Sequence, residues 1–334
     1  MTLTIYRDRD ANADDLGDRR VAVIGYGNQG RAHALNLRDS GIEVVVGGRP
    51  GKSADRASED GFRPVAVGEA AAAGGLIVLT LPDESASEIY ADKIAPVMRS
   101  GKTLGFVHGF NIRFGFIEPP PEVDVVMVAP KGPGALVRSS YLEGKGLPAL
   151  MAVHRDATGR ARRIALAWAA AIGCTRAGVI ETTFACETET DLFGEQVVLC
   201  GGMSALTKAA FETLVEAGYE PEFAYLECVH ELKQIVDLLY TRGLSGMRRA
   251  VSNTAEYGDL TRGPRLISSA VRQEMKRILD EIRSGKFARE WIAEHRAGGN
   301  EFKRLYNDDV DTPYERAGKM VRSLMPWLAE KKGG

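Results

Sequence analysis

Two regimes of hydrophobic patterning divide this chain. In the first half, short runs of mostly apolar, often β-branched residues recur: Arg20–Ile24, Glu43–Val46, Leu76–Leu81, Thr103–Val107, Val123–Val128 and Leu150–Val153. Runs that are apolar at nearly every position, separated by helical stretches or Gly/Pro turns, predict strands of a parallel sheet covered on both faces. Ala157–Ile172 has helical spacing and closes this region. From about Thr182 the strand signal fades, and long helical stretches follow at Asp191–Gly218 and Pro221–Arg242. Pro221 suits the first turn of a helix and Gly218 the position just past a helix end. The pattern predicts an α/β domain over residues 1–181 and an all-helical domain over residues 182–330.

Composition adds mainly exclusions. The 334 residues hold 45 acidic and 43 basic side chains, a net charge of −2 that gives no reason to expect nucleic acid or an anionic membrane as partner. The N-terminus is polar and acidic, without the apolar core of a secretion signal. No apolar run reaches the ~18–20 residues that span a bilayer. Cys174, Cys186, Cys200 and Cys228 are widely spaced and form no C-x-x-C pair, so reduced thiols are expected rather than zinc or disulfides. The expected location is cytoplasmic, or an organelle if a transit segment has been removed.

One motif in the first half carries chemistry. Gly25, Tyr26, Gly27, Asn28, Gln29 and Gly30 form G-x-G-x-x-G between a strand and a helix. In that setting the glycines let a dinucleotide pyrophosphate approach the backbone, and the helix N-terminus offers it N–H donors. By itself the motif is weak, and a plain glycine-rich turn is the competing explanation. An NAD site places a carboxylate ~20 residues further on, at the end of the second strand. Here that place is taken by Gly47-Gly48-Arg49-Pro50-Gly51-Lys52-Ser53. Arg49, Lys52 and Ser53 suit a 2′-phosphate, which favours NADPH, although Asp55 stands near enough to leave NADH use open.

In the second half, Asp191 and Glu195 stand four apart, as do Glu227 and Glu231, so each pair shares a helix face. Their neighbours Leu192, Phe193, Val197, Val198, Leu226, Val229 and Leu232 are apolar. Like charges drawn toward a core repel unless a cation compensates, and an all-oxygen donor set selects Mg²⁺ over Zn²⁺. Spacing alone does not separate this from an ordinary solvated helix face.

The blocks GYGNQGRAHALNLRDSG (25–41), HGFNIRFG (108–115), VMVAPKGPG (126–134), ETETDLFGEQVVLCGG (187–202), ECVHELKQIVDLLY (227–240) and SNTAEYGD (252–259) resemble, in order, the signature segments of the short form of ketol-acid reductoisomerase. The resemblance covers nearly the whole chain. It implies a Rossmann-like N-terminal domain, a knotted helical C-terminal domain and an active site completed across a homodimer, with larger assemblies open. It implies two Mg²⁺ ions, bridged by Asp191, with Glu195 completing one of them and Glu227 and Glu231 supplied by the neighbouring subunit. Ser252 would hold the substrate carboxylate. His108, Lys131, Asp83, Glu84, Ser85 and Gly134 match positions lining the active site and cofactor groove. Some positions depart from the family pattern. Asn28 and Arg31 replace a more common Ser and His, Arg113 and Ala135 stand where His is frequent, and Ala185-Cys186 replaces a common Lys-Glu.

The implied substrate is 2-acetolactate or 2-aceto-2-hydroxybutyrate. The implied reaction is a metal-assisted alkyl shift followed by NAD(P)H reduction to a 2,3-dihydroxy acid, in branched-chain amino-acid synthesis. Glu231 is the candidate proton relay, Lys131 a candidate for stabilising negative charge, and His108 for orienting water or nicotinamide. The alternatives are a 3-hydroxyacid dehydrogenase without isomerase activity, and a non-catalytic nucleotide sensor.

Overall fold

A computed structural model describes residues 3–17 and 19–330. By its internal contacts the chain divides into two units, residues 1–190 and 191–334.

The first unit is built on eight strands: β1 (Ile5–Tyr6), β2 (Val21–Ile24), β3 (Val44–Gly47), β4 (Leu76–Leu79), β5 (Thr103–Phe106), β6 (Asp124–Pro130), β7 (Ala149–Arg155) and β8 (Val179–Glu181). Their order is β1-β8-β7-β6-β5-β4-β2-β3. All six expected strands are present. The sheet is mixed, however, where the sequence pattern pointed to a parallel one: β6 and β7 run antiparallel, as do β1 and β8. Short β1 and β8 carry too few residues for period-two patterning to register, and they form by pairing with each other and, for β8, with β7.

Alternation explains why the central strands read as continuous apolar runs. Val21, Val23, Leu76, Val78, Val126 and Val128 pack into one core, with Trp168. Ala22, Ile24, Ile77, Leu79, Val125 and Met127 pack into another, with Leu104 and Phe106. Successive side chains point to opposite faces and both faces are covered, so nearly every position is apolar. The order reverses beside β2, since β3 lies on one side of it and β4 on the other. The carboxyl ends of β2 and β4 therefore flank the crevice where doubly wound sheets bind ligands. Helix α1 (Asn28–Asp39) leaves β2 there. It is fixed from behind by buried His33, whose Nδ1 accepts from Trp168 Nε1 at 3.1 Å. Burial lowers the His33 pKa to about 3, which keeps the imidazole neutral.

The second unit is helical throughout its described residues. Gly218, at φ +92°, follows the helix Gly201–Glu216, and Pro221 opens the next one, as their residue types predict. A small core gathers Phe211, Ala224, Tyr225, Ala317 and Val321. The two long expected helices are interrupted by π turns at Glu195–Leu199 and Leu226–His230. The continuous helical stretch Phe184–Glu216 is, by length and composition, apolar enough to cross a membrane, with 11% of its most apolar 18-residue window buried. Asp191 and Glu195 split this stretch into short apolar pieces in the sequence, whereas the helix continues through them.

Candidate functional site

The glycine loop follows β2 directly. Gly25 has φ +100°, and a β-carbon there would meet the Thr80 carbonyl oxygen at 2.9 Å; one on Gly30 would meet the Gly25 oxygen at 2.3 Å. Both positions therefore require glycine. Thr80, at the end of β4, ties the loop down by donating from Oγ1 to the carbonyls of Ile24 and Gly25, each at 3.0 Å. Helix α1 starts with no side-chain cap and no acidic residue in its first turn. Its leading N–H groups and positive dipole end are left for an anion.

The side chains of this loop turn elsewhere. Tyr26 is buried and its hydroxyl donates to Asp60 Oδ2 at 2.9 Å. Gln29 Nε2 donates to the Gly132 carbonyl at 2.9 Å. Any role of these two residues toward a pyrophosphate thus runs through the backbone. Gly134 is buried against the same loop, and a β-carbon on it would meet the Asn28 oxygen at 2.0 Å. Asp83, Glu84 and Ser85, read as a turn, open the helix Asp83–Ile89 instead, because Pro82 supplies the extended residue before it. Asn111 Nδ2 donates to the Asp83 carbonyl at 3.1 Å.

After β3 the chain continues through Gly48, Arg49, Pro50 and Gly51 into helix α2 (Lys52–Glu59), with no carboxylate at the strand end. Arg49, Lys52 and Ser53 are exposed, and α2 also begins without a side-chain cap. Two cations, a hydroxyl and an uncapped helix start are groups of the kind that can bind a phosphate.

The sharpest constellation centres on a residue that the sequence reading quoted but did not single out. Glu187, only 1% exposed, lies in the helix Phe184–Gly194. Its carboxylate accepts from Lys131 Nζ at 2.8 Å, from the Gly109 backbone N–H at 3.0 Å and from His108 Nδ1 at 3.3 Å. Burial alone would raise its pKa, but the His108 hydrogen bond and charge, with the Lys131 ammonium, outweigh burial and bring it to about 2. His108 and Lys131, chosen on separate motifs, are thereby joined through one ionised carboxylate. The signal was available in the sequence. Glu187, Asp191 and Glu195 form a run at i, i+4 and i+8. Two residues further on, Glu189 receives Arg113 Nε at 2.9 Å, so the Arg113 departure has a defined partner.

The metal candidates belong to the helical unit, and each pair sits at a π turn. Glu195 begins one, and the Glu231 N–H closes the other onto the Leu226 carbonyl at 3.0 Å. Single π turns inside α-helices recur at functional sites because they re-aim neighbouring side chains. Glu195, Glu227 and Glu231 are exposed and Asp191 is half-buried. Among the described residues of one chain, these four acids do not gather into a group of three or more donors within 4.8 Å. Ser252 caps the helix Asn253–Leu266, its Oγ accepting from the Ala255 N–H at 3.2 Å.

Residues 15–178 match the family described as acetohydroxy acid isomeroreductase, NADPH-binding domain, and residues 184–327 match ketol-acid reductoisomerase, C-terminal domain. Among solved structures, an NADH-preferring ketol-acid reductoisomerase from an uncultured archaeon shares 45% identity, with 96% of this chain and 99% of that one covered and a TM-score of 0.94. A semialdehyde dehydrogenase NAD-binding protein from Cupriavidus necator aligns over 80% of this chain and 99% of its own at 18% identity and a TM-score of 0.62. A pyrroline-5-carboxylate reductase from Coxiella burnetii aligns over 80% and 97% at 13% identity and 0.55. These last two share the fold alone.

Proposed function

The chain belongs to the ketol-acid reductoisomerase family of NAD(P)H-dependent oxidoreductases and isomerases, and on that premise we propose that it converts 2-acetolactate or 2-aceto-2-hydroxybutyrate into the corresponding 2,3-dihydroxy acid. The observation that supports this most is Glu187 gathering His108 and Lys131 one helical turn before Asp191. A plain hydride-transfer enzyme has no need of that carboxylate-rich helix.

Asp191 and Glu195, with Glu227 and Glu231 of the partner subunit, would hold two Mg²⁺ ions. The donor set fits. It is all oxygen, it sits at π turns, and Glu227 and Glu231 have no cationic partner among the described residues. Bound there, the ions supply Lewis acidity that makes the tertiary hydroxyl acidic and the neighbouring carbonyl electron-poor. Ser252 would bind the substrate carboxylate through its hydroxyl hydrogen, since its oxygen already caps a helix. Lys131 Nζ places positive charge where oxygen becomes negative, and Glu187 holds that ammonium in place. His108, held at Nδ1 by Glu187, would orient water or nicotinamide. Glu231 would relay the proton through its carboxylate. The glycine loop and α1 bind the pyrophosphate, and Arg49, Lys52 and Ser53 favour NADPH. Ser53→Asp is expected to lower the kcat/KM ratio of NADPH to NADH about tenfold, because a carboxylate repels the 2′-phosphate. An unchanged ratio would show that the loop does not read that group.

The helical unit also bears on assembly. Val198, Leu199, Tyr240, Tyr257, Leu266 and Tyr306 are all more than half exposed. So many large apolar side chains left in water fit a surface that a second copy covers, and a homodimer with a shared site is part of this proposal. A small-molecule substrate and a cytoplasmic setting complete it. The direct test is stopped-flow oxidation of NADPH by 2-acetolactate with Mg²⁺. Sustained oxidation is expected. Reduction of the 3-hydroxy-2-oxo acid without turnover of 2-acetolactate would instead identify a dehydrogenase, and no oxidation of NADPH or NADH with either acid would end the reading.

A further inference from the structure

Asp60, in the turn after α2, ties two parts of the cofactor region together. Its carboxylate accepts from the Tyr26 hydroxyl at 2.9 Å and from Arg31 Nε and Nη2 at 2.7 and 3.0 Å. Tyr26 belongs to the glycine loop and Arg31 to the first turn of α1. The Asp60 carbonyl accepts from Arg38 Nη1, further along α1, at 2.5 Å. The Arg38 guanidinium lies 4.9 Å from the centre of the Phe62 ring, and Tyr26 meets that ring edge-on at 5.8 Å. The glycine loop and α1 thus grip residues 60–62 through three side chains. With side-chain exposures of 23% for Arg31 and 17% for Asp60, this bidentate pair is shielded from most competing water. Arg31 and Tyr26 hold the Asp60 carboxyl below its ordinary pKa. By contrast, α2 itself is lightly anchored. It has eight residues, a length of ~12 Å, and Ala57 is its one buried residue.

We propose that Asp60, clamped by Arg31 and Tyr26, is a positioning residue that sets α2 and thereby the discrimination between a 2′-phosphate and a 2′-hydroxyl on the cofactor. The helix acts as a short lever: its far end is fixed to the loop that binds the pyrophosphate, and its near end presents Lys52 and Ser53. The distance between the two phosphate-reading points is then held by the clamp rather than by core packing. This rests on the reading that Arg49, Lys52 and Ser53 face the 2′ position.

The test is the affinity of the full-length protein for NADPH and for NADH, followed by cofactor fluorescence, in Asp60→Asn, Arg31→Met and the double variant. Each single change should lower the NADPH-to-NADH affinity ratio about fivefold, and the double change no further, because both remove one interaction. At saturating cofactor, kcat should change less than about twofold. A lowered melting temperature with an unaltered affinity ratio would reduce the clamp to a structural brace and overturn the proposal. Should the charged-pair variants fail to fold, Tyr26→Phe removes one hydrogen bond of three. It should shift the ratio in the same direction by a smaller factor, and no shift would again overturn the proposal. Ser53→Asp separates the two readings. If it moves the ratio and Asp60→Asn does not, only the clamp falls; if Ser53→Asp moves nothing, the premise and the clamp fall together.

Discussion

Asp191→Asn is expected to lower kcat/KM for 2-acetolactate by ~10³-fold or more while leaving the protein folded, because a metal-supported charge is worth several kcal/mol in the transition state. Asp191 lies half-buried in a continuous helix, and Asn is nearly isosteric there, so little stability is at stake. Glu227→Gln should be as damaging, since Glu227 is exposed and has no cationic partner among the described residues. The informative experiment combines the two. In a mixed dimer, one site carries both substitutions and the other carries neither. Co-expressed subunits that pair at random should therefore regain up to about a quarter of the specific activity of the unaltered dimer, and isolated mixed dimers up to about half. Parent-like activity in either single variant would exclude that residue from the metal site. Two inactive variants that never complement would exclude a shared site and leave each subunit to its own acids.

The second large effect is expected at Glu187. Glu187→Gln removes the charge that faces Lys131 and His108 and turns an amide N–H₂ toward groups that are themselves donors. Losing a buried partner of charged donors is costly, and the two side chains would no longer be held in place. A fall in kcat of ~10²-fold is expected, with a much smaller change in cofactor affinity. The pH dependence of stability supplies an independent measure. Folded Glu187 titrates near 2 against an ordinary value of 4.5, so its pKa is depressed by folding. The associated stability is fully present above about 4.5 and is lost as pH falls from there toward about 2. At ~1.4 kcal/mol per pH unit, the amount is on the order of 3 kcal/mol. Urea unfolding at pH 7 and pH 3.5 should show a smaller acid-induced loss in the Gln variant than in the parent. Equal losses would mean that Glu187 is not the carboxylate held ionised.

Much of this was legible before any coordinates. The six long strands were readable because burial on both faces writes itself as unbroken apolar runs. Gly25 and Gly30 stood out because a turn that admits a phosphate tolerates no β-carbon. The two acid pairs were visible from their spacing. Their π turns were not, since inserting one residue's worth of slack into a helix leaves no periodic mark over five residues. Gln29 and Tyr26 were placed in the right loop, but the direction of their side chains, toward Gly132 and Asp60, depends on segments distant in sequence.

The sequence by itself determined the local propositions: which segments are strands or helices, where glycine is obligatory, and which helix faces carry carboxylates. Each follows from sterics or periodicity within a few neighbouring residues. Tertiary structure alone decided that β1 pairs with β8, that Arg31 closes on Asp60, and that Glu187 rather than bulk water is the partner of Lys131 and His108. Those groups lie 29 to 175 residues apart. No periodicity spans such a gap, and an ion pair of this kind gains its strength from burial that the unfolded chain does not provide.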